Sequence, residues 1–110
     1  MLGLTHHDEL KAMIERNDEF VLVDVLPAES FLKHHLPGAI NLPLHDENFK
    51  KMAQKMIPDK SVVVVVYSKD SECDAGAKAA EILSKMGYKN VSDYQAGLKE
   101  WMDLGYSFDQ

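Results

Sequence analysis

Cys73 is the only cysteine of this 110-residue chain, and its position is one that can make a thiol reactive. It stands in a polar stretch, Ser68-Lys69-Asp70-Ser71-Glu72-Cys73-Asp74, between a run of valines and a helical pattern that opens on Ala75-Gly76. A thiol attacks only as its thiolate. Unpaired backbone N–H groups and the positive end of a helix dipole stabilise that anion. The thiol is also the only group here that could carry a second sulfur as a persulfide. The alternative is a small residue that fills the core without reacting. Asp70, Glu72 and Asp74 oppose a thiolate, because like charges raise a thiol's pKa and repel anionic donors. Lys69 and Lys78 offset part of this field. Without a ligand, these charges read as a solvated loop.

Other chemistry finds less support. A calcium site at Asp70, Glu72 and Asp74 lacks the glycine and the distal glutamate of an EF-hand. His6 and His7 fall in a first helical turn and are expected to be exposed. His34-His35 precede a turn and His45 follows Pro43, with no metal-binding spacing among them. For His35 the reading is structural, a hydrogen bond that holds the turn. Ser68 has no Gly-x-Ser-x-Gly context, which disfavours a serine hydrolase. One cysteine rules out an internal disulfide framework and a Cys-rich zinc site. No metal or cofactor is expected.

The chain carries 12 Lys and Arg against 18 Asp and Glu, a formal charge of −6. The basic residues are scattered, which argues against nucleic acid and anionic membranes as partners. No apolar run approaches the roughly 18 residues that span a bilayer. Met1 to Leu10 has no basic n-region and meets Asp8 and Glu9 early, so a cytoplasmic location is expected.

The elements that would position Cys73 alternate along the chain. Thr5-His6-His7-Asp8 has the form of a capping box, with Thr5 as N-cap and Asp8 reaching back. Leu10, Met13 and Ile14 then predict a helix over 6–16. Phe20 to Val25 predicts a buried strand with Asp24 as its polar intrusion. Pro27 opens a short helix over Ala28 to Lys33. Leu36-Pro37-Gly38 is a turn, and Ala39 to Leu42 a short strand. Residues 46–56 predict a helix with Phe49, Met52 and Met56 on one side. The five valines Val62–Val66 predict a central parallel strand covered on both faces. Tyr67 to Asp74 predicts a loop. A helix over 75–86 follows, with Gly87 at its αL terminus. Val91 to Tyr94 predicts a strand. Leu98, Trp101 and Met102 predict a last helix, closed by Gly105. The methionines read as core filler. Alternation of this kind implies an α/β domain with a mainly parallel sheet. Ligands in such sheets bind beyond the carboxyl ends of the strands, where the Cys73 loop lies.

In this order the motifs resemble the rhodanese-like (sulfurtransferase) family over nearly the whole chain. Val21-Leu22-Val23-Asp24-Val25 resembles its first core strand. His35-Leu36-Pro37-Gly38-Ala39-Ile40-Asn41-Leu42-Pro43 is similar to its His-(Ile/Leu)-Pro-Gly-Ala-(Ile/Val)-Asn-(Ile/Leu)-Pro segment. Val62 to Tyr67 resembles the strand that delivers the active-site loop. Gly87-Tyr88-Lys89-Asn90-Val91, Ala96-Gly97 and Trp101 resemble the closing pattern. The resemblance implies one three-layer α/β domain over 1–110, a mainly parallel central sheet flanked by helices, with Asp24 and His35 as structural support. It also implies catalysis by persulfide: a cysteine takes sulfane sulfur from a small donor such as thiosulfate and passes it to cyanide, a thiol or a protein acceptor.

Four features depart from the family pattern. The usual nucleophile position is Ser68, which cannot hold a persulfide. The loop is longer than the common six-residue form and resembles a subgroup with a second cysteine where Cys73 stands. Leu26 replaces an arginine, and Ala96 the first glycine of a Gly-Gly pair. Two functions follow. Either Cys73, the residue nearer the helix N-terminus, is the catalytic nucleophile within the loop Ser68, Lys69, Asp70, Ser71, Glu72, Asp74, Ala75 and Gly76, or the domain is a non-catalytic module for protein interaction or redox sensing. A phosphatase of the Cys-x5-Arg kind is set aside, since no arginine occurs in 67–110.

Overall fold

The computed structural model describes residues 2–109. Among these residues five strands and five helices alternate: β1 (Leu2–Leu4), α1 (His7–Glu15), β2 (Val21–Asp24), α2 (Ala28–Lys33), β3 (Ile40–Asn41), α3 (Phe49–Met56), β4 (Val63–Tyr67), α4 (Ala75–Lys85), β5 (Asn90–Tyr94) and α5 (Gly97–Asp103). The strands form one sheet in the order β1-β5-β4-β2-β3, and every pairing is parallel.

The valine run sits in the middle of this sheet, as its composition demands. Successive strand side chains face opposite sides, so Val64 and Val66 enter one core and Val65 and Tyr67 the other. The first core lies under α3 and α4 and includes Phe49, Ala53, Ala79 and Leu83. The second lies under α1 and α5 and includes Leu10, Leu98 and Trp101. Helices on both faces of a parallel sheet give three layers.

Several expectations are corrected. The proposed capping box does not form: the N-cap of α1 is His6, and no side chain caps the helix. The Thr5 hydroxyl instead pairs with that of Ser92, and the Asp8 carboxylate accepts the N–H of Glu9. β1 was not expected at all; it is three residues long, contains Gly3, and exists through its pairing with β5. Tyr67 belongs to β4 rather than to the loop. The strand starts at Val63, which remains 37% exposed. α3 begins at Phe49, three residues after the expected start, and buries Phe49 and Ala53 while Met56 stays 45% exposed. Met102 is likewise exposed, so two of the methionines are not core filler. His7 is half-buried, its Nδ1 3.1 Å from the Tyr106 hydroxyl.

Candidate functional site

The strand order fixes where a site can form. β2 and β4 are neighbours, yet β2 hands the chain to β3 on one side and β4 hands it to β5 on the other. The loops leaving their carboxyl ends therefore diverge, and a crevice opens between them. The β4 loop, residues 68–74, contains Cys73.

Both ends of this loop are anchored. At its start, the C=O groups of Ser68 and Lys69 accept the N–H groups of Leu98 (3.0 Å) and Lys99 (2.8 Å) from the first turn of α5. That approach needs Gly97: its φ is +68°, and a Cβ there would lie 2.5 Å from the Ser68 carbonyl oxygen. At the far end, Asp70 Oδ1 accepts the N–H of Glu72 (3.0 Å) and of Cys73 (3.1 Å). The Cys73 N–H also lies 3.2 Å from the Asp70 carbonyl oxygen. Asp70 is thus an acceptor that ties the loop, not simply a solvated charge, and it takes two amides that the sequence reading left free for the sulfur. The donors that remain are at the start of α4, where Asp74 occupies the N-cap position without making a side-chain capping bond. Asp74 pairs instead with Lys78 at 3.1 Å, both well exposed. Lys69, Ser71 and Glu72 are exposed, while Ala75 and Gly76 are buried.

Cys73 is a free, half-buried thiol. Its side chain packs on the edge of the core beneath α3 and α4. Ser68 is 3% exposed and belongs to the floor of the loop. A buried carboxyl shares that floor: Asp93, 5% exposed, on β5 opposite Val66. Burial alone pushes its pKa up to about 6. Sequence reasoning missed Asp93. The available signal was its place two residues after Val91, which puts a carboxylate on the core face of a strand.

A second buried carboxylate braces the crevice from the β2 side. Asp24 is fully buried. Its Oδ2 accepts the Tyr67 hydroxyl at 2.8 Å and its Oδ1 accepts the Leu26 N–H at 2.8 Å. Burial raises its pKa, and these two donors pull it back. The Tyr67 oxygen accepts the Leu36 N–H at 3.1 Å, so one phenol joins β4, β2 and the turn before β3. Burial, followed by the Asp24 charge, raises the Tyr67 pKa strongly, which keeps it a donor. Asn41 Nδ2 donates to the carbonyls of Asp24 and Leu26 at 3.0 and 2.9 Å. His35 is tied to the end of α2, its Nδ1 2.9 Å from the Phe31 carbonyl oxygen. It stacks on Phe31 at 3.8 Å, and its main chain exchanges hydrogen bonds with Asp109.

Two open grooves run along this edge of the sheet and share Leu44 and His45. One, of about 310 Å³, is lined by Val25, Pro27, Ala28 and Pro43 as well; the other, of about 430 Å³, reaches Lys78 and Lys85 of α4. A hollow of about 250 Å³ near Asn17 and Phe20 lies before the start of β2, away from Cys73. Among the described residues no cluster of three or more His, Cys, Asp or Glu could hold a metal, and no helix is long and apolar enough to cross a membrane.

Comparison with known proteins agrees with this architecture. The profile of the rhodanese-like domain matches residues 6–104. The thiosulfate sulfurtransferase PspE of Escherichia coli is 40% identical over 71% of this chain and 70% of its own length. The adenylyltransferase and sulfurtransferase UBA4 of Meyerozyma guilliermondii is 37% identical over 91% of this chain, which spans 25% of that much longer relative. Among solved structures, the BH2092 protein of Bacillus halodurans superposes with a TM-score of 0.88 at 24% identity, covering 97% of this chain and 76% of its own, and so shares the fold.

Proposed function

The chain belongs to the rhodanese-like domain family, and from that premise we propose that it is a sulfurtransferase that carries sulfane sulfur as a persulfide on Cys73. The observation that carries this reading is the place of the only thiol: half-buried, in the loop that leaves the carboxyl end of β4, one residue before Asp74 at the N-cap of α4, which makes no side-chain capping bond. The Cys73 thiolate attacks the outer sulfur of thiosulfate. A bond forms between the two sulfurs, the bond to the sulfonate sulfur breaks, and sulfite leaves with its electron pair. The terminal sulfur of the resulting persulfide carries the negative charge, and the first-turn N–H groups of α4 stabilise it. Cyanide, or a thiol that has given its proton to solvent, then attacks that terminal sulfur. Thiocyanate or a new persulfide departs, and the thiolate is restored. The naming of relatives as sulfurtransferases supports the same chemistry.

The test is thiocyanate formation from thiosulfate and cyanide. Wild type is expected to turn over and Cys73→Ser to fall to background. Equal turnover by the two proteins would refute a sulfur carrier at residue 73. One observation favours a second reading, a non-catalytic module for interaction or redox sensing: Ser68 is buried at the usual nucleophile position. That reading predicts no turnover by wild type with any sulfane donor.

A further inference from the structure

We propose that Asp93 is a specificity-determining residue that bars anionic sulfur from the β4 end of the loop, where Ser68 stands. The proposal deepens the sulfur-carrier reading and rests on it. Asp93 shares its strand face with Val91 and points into the first turn of α4. A Cβ placed on Gly76 would lie 2.6 Å from Asp93 Oδ1 and 3.5 Å from Ser68 Oγ, so the carboxyl and the hydroxyl converge on one point beneath the loop. Gly76 is the residue that leaves room for them.

Among the described residues the carboxyl has no partner to neutralise it. No hydrogen bond or ion pair to it occurs among the described residues, and no charged group from β4, α4 or the loop shifts it; burial is the sole cause of its raised pKa. With that pKa pushed up to about 6, it is ionised at neutral pH. Sulfur anions set beside it, among residues that are largely buried, meet a like charge at an effective dielectric below that of water. A neutral hydroxyl at residue 68 is compatible with this neighbour and can donate to it. Cys73 stands five residues further along, at the exposed end of the loop, where the α4 amides lie.

The test moves the thiol. In a Cys73→Ser background, Ser68→Cys leaves one sulfhydryl, at position 68, and its pH-dependent alkylation by iodoacetamide reports its pKa. The expected value lies above the free-thiol figure of about 8.5. Adding Asp93→Asn is expected to lower it and to speed alkylation at pH 7.5 about tenfold, the ratio that one pKa unit gives. A thiol at 68 that titrates below about 8.5 beside Asp93, or one indifferent to Asp93→Asn, would overturn the proposal. Should Asp93→Asn fail to fold, Asp93→Ser makes the same comparison. Persulfide formation on Cys73 of the wild-type chain is read separately. Its absence would remove the sulfur carrier without altering the electrostatics at 68, so the two failures are distinguishable.

Discussion

Two buried carboxylates of the same type behave differently here because their surroundings differ. Asp24 has two donors aimed at it, whereas Asp93 has none among the described residues. Tyr67→Phe would strand both the Asp24 oxygen and the Leu36 N–H in the core. Losing a hydroxyl that serves two buried groups costs about 2–4 kcal/mol, to be read as a lowered urea midpoint with unchanged slope. Asp93 acts in the opposite sense. Its folded pKa of about 6 exceeds the value of 3.8 it has in an exposed chain. The folded state therefore holds the proton more tightly, and the stability this provides, complete below about pH 4, is lost as pH rises through 6. Asp93→Asn removes that loss. It is expected to stabilise the protein by about 2 kcal/mol at pH 7.5 and to change little at pH 4. Equal effects at both pH values in urea titrations would contradict the assignment. A residue that costs stability at neutral pH fits a role in the site better than one in the core. The supporting role of Asp24 was an expectation of the family resemblance, whereas the role of Asp93 was not legible in the sequence. A carboxylate in a strand is visible, but whether donors meet it depends on side chains 43 residues away, as between Tyr67 and Asp24.

Helix and strand identities were legible wherever the pattern was periodic, and boundaries failed where tertiary partners intervened. The valine run and the stripe of Ala79, Ile82 and Leu83 needed only composition and spacing. Thr5 read as a cap because Asp8 follows at the right distance, yet its hydroxyl goes to Ser92, 87 residues on. β1 carries no local signal, since three residues with a central glycine acquire strand geometry only from β5. The junction of the loop with α5 was equally hidden. Gly97→Ala is expected to destabilise by more than about 2 kcal/mol, because the new methyl meets the Ser68 carbonyl and φ is positive. The displaced start of the loop should also lower sulfur transfer. Urea denaturation together with thiocyanate assay checks both, and a stable, fully active Gly97→Ala protein would show that the α5 anchor is dispensable.

For the whole molecule, alternation of apolar strands with helices was enough to foresee a parallel sheet covered on both sides, since an alternating chain buries two sheet faces at once. The order β1-β5-β4-β2-β3 then places the Cys73 loop at the carboxyl end of β4, where neighbouring strands send their loops apart. The loop's own sequence identified the thiol but not its setting. Asp70 turns two amides onto itself, and Asp93 sits beneath Ser68, neither of which follows from spacing. The direct test is intact-mass and peptide mass spectrometry after incubation with thiosulfate. One added sulfur atom, located on the peptide that contains Cys73 and removed by cyanide, is the predicted result. A folded wild-type protein that gains no sulfur from thiosulfate, polysulfide or another persulfide would contradict the account.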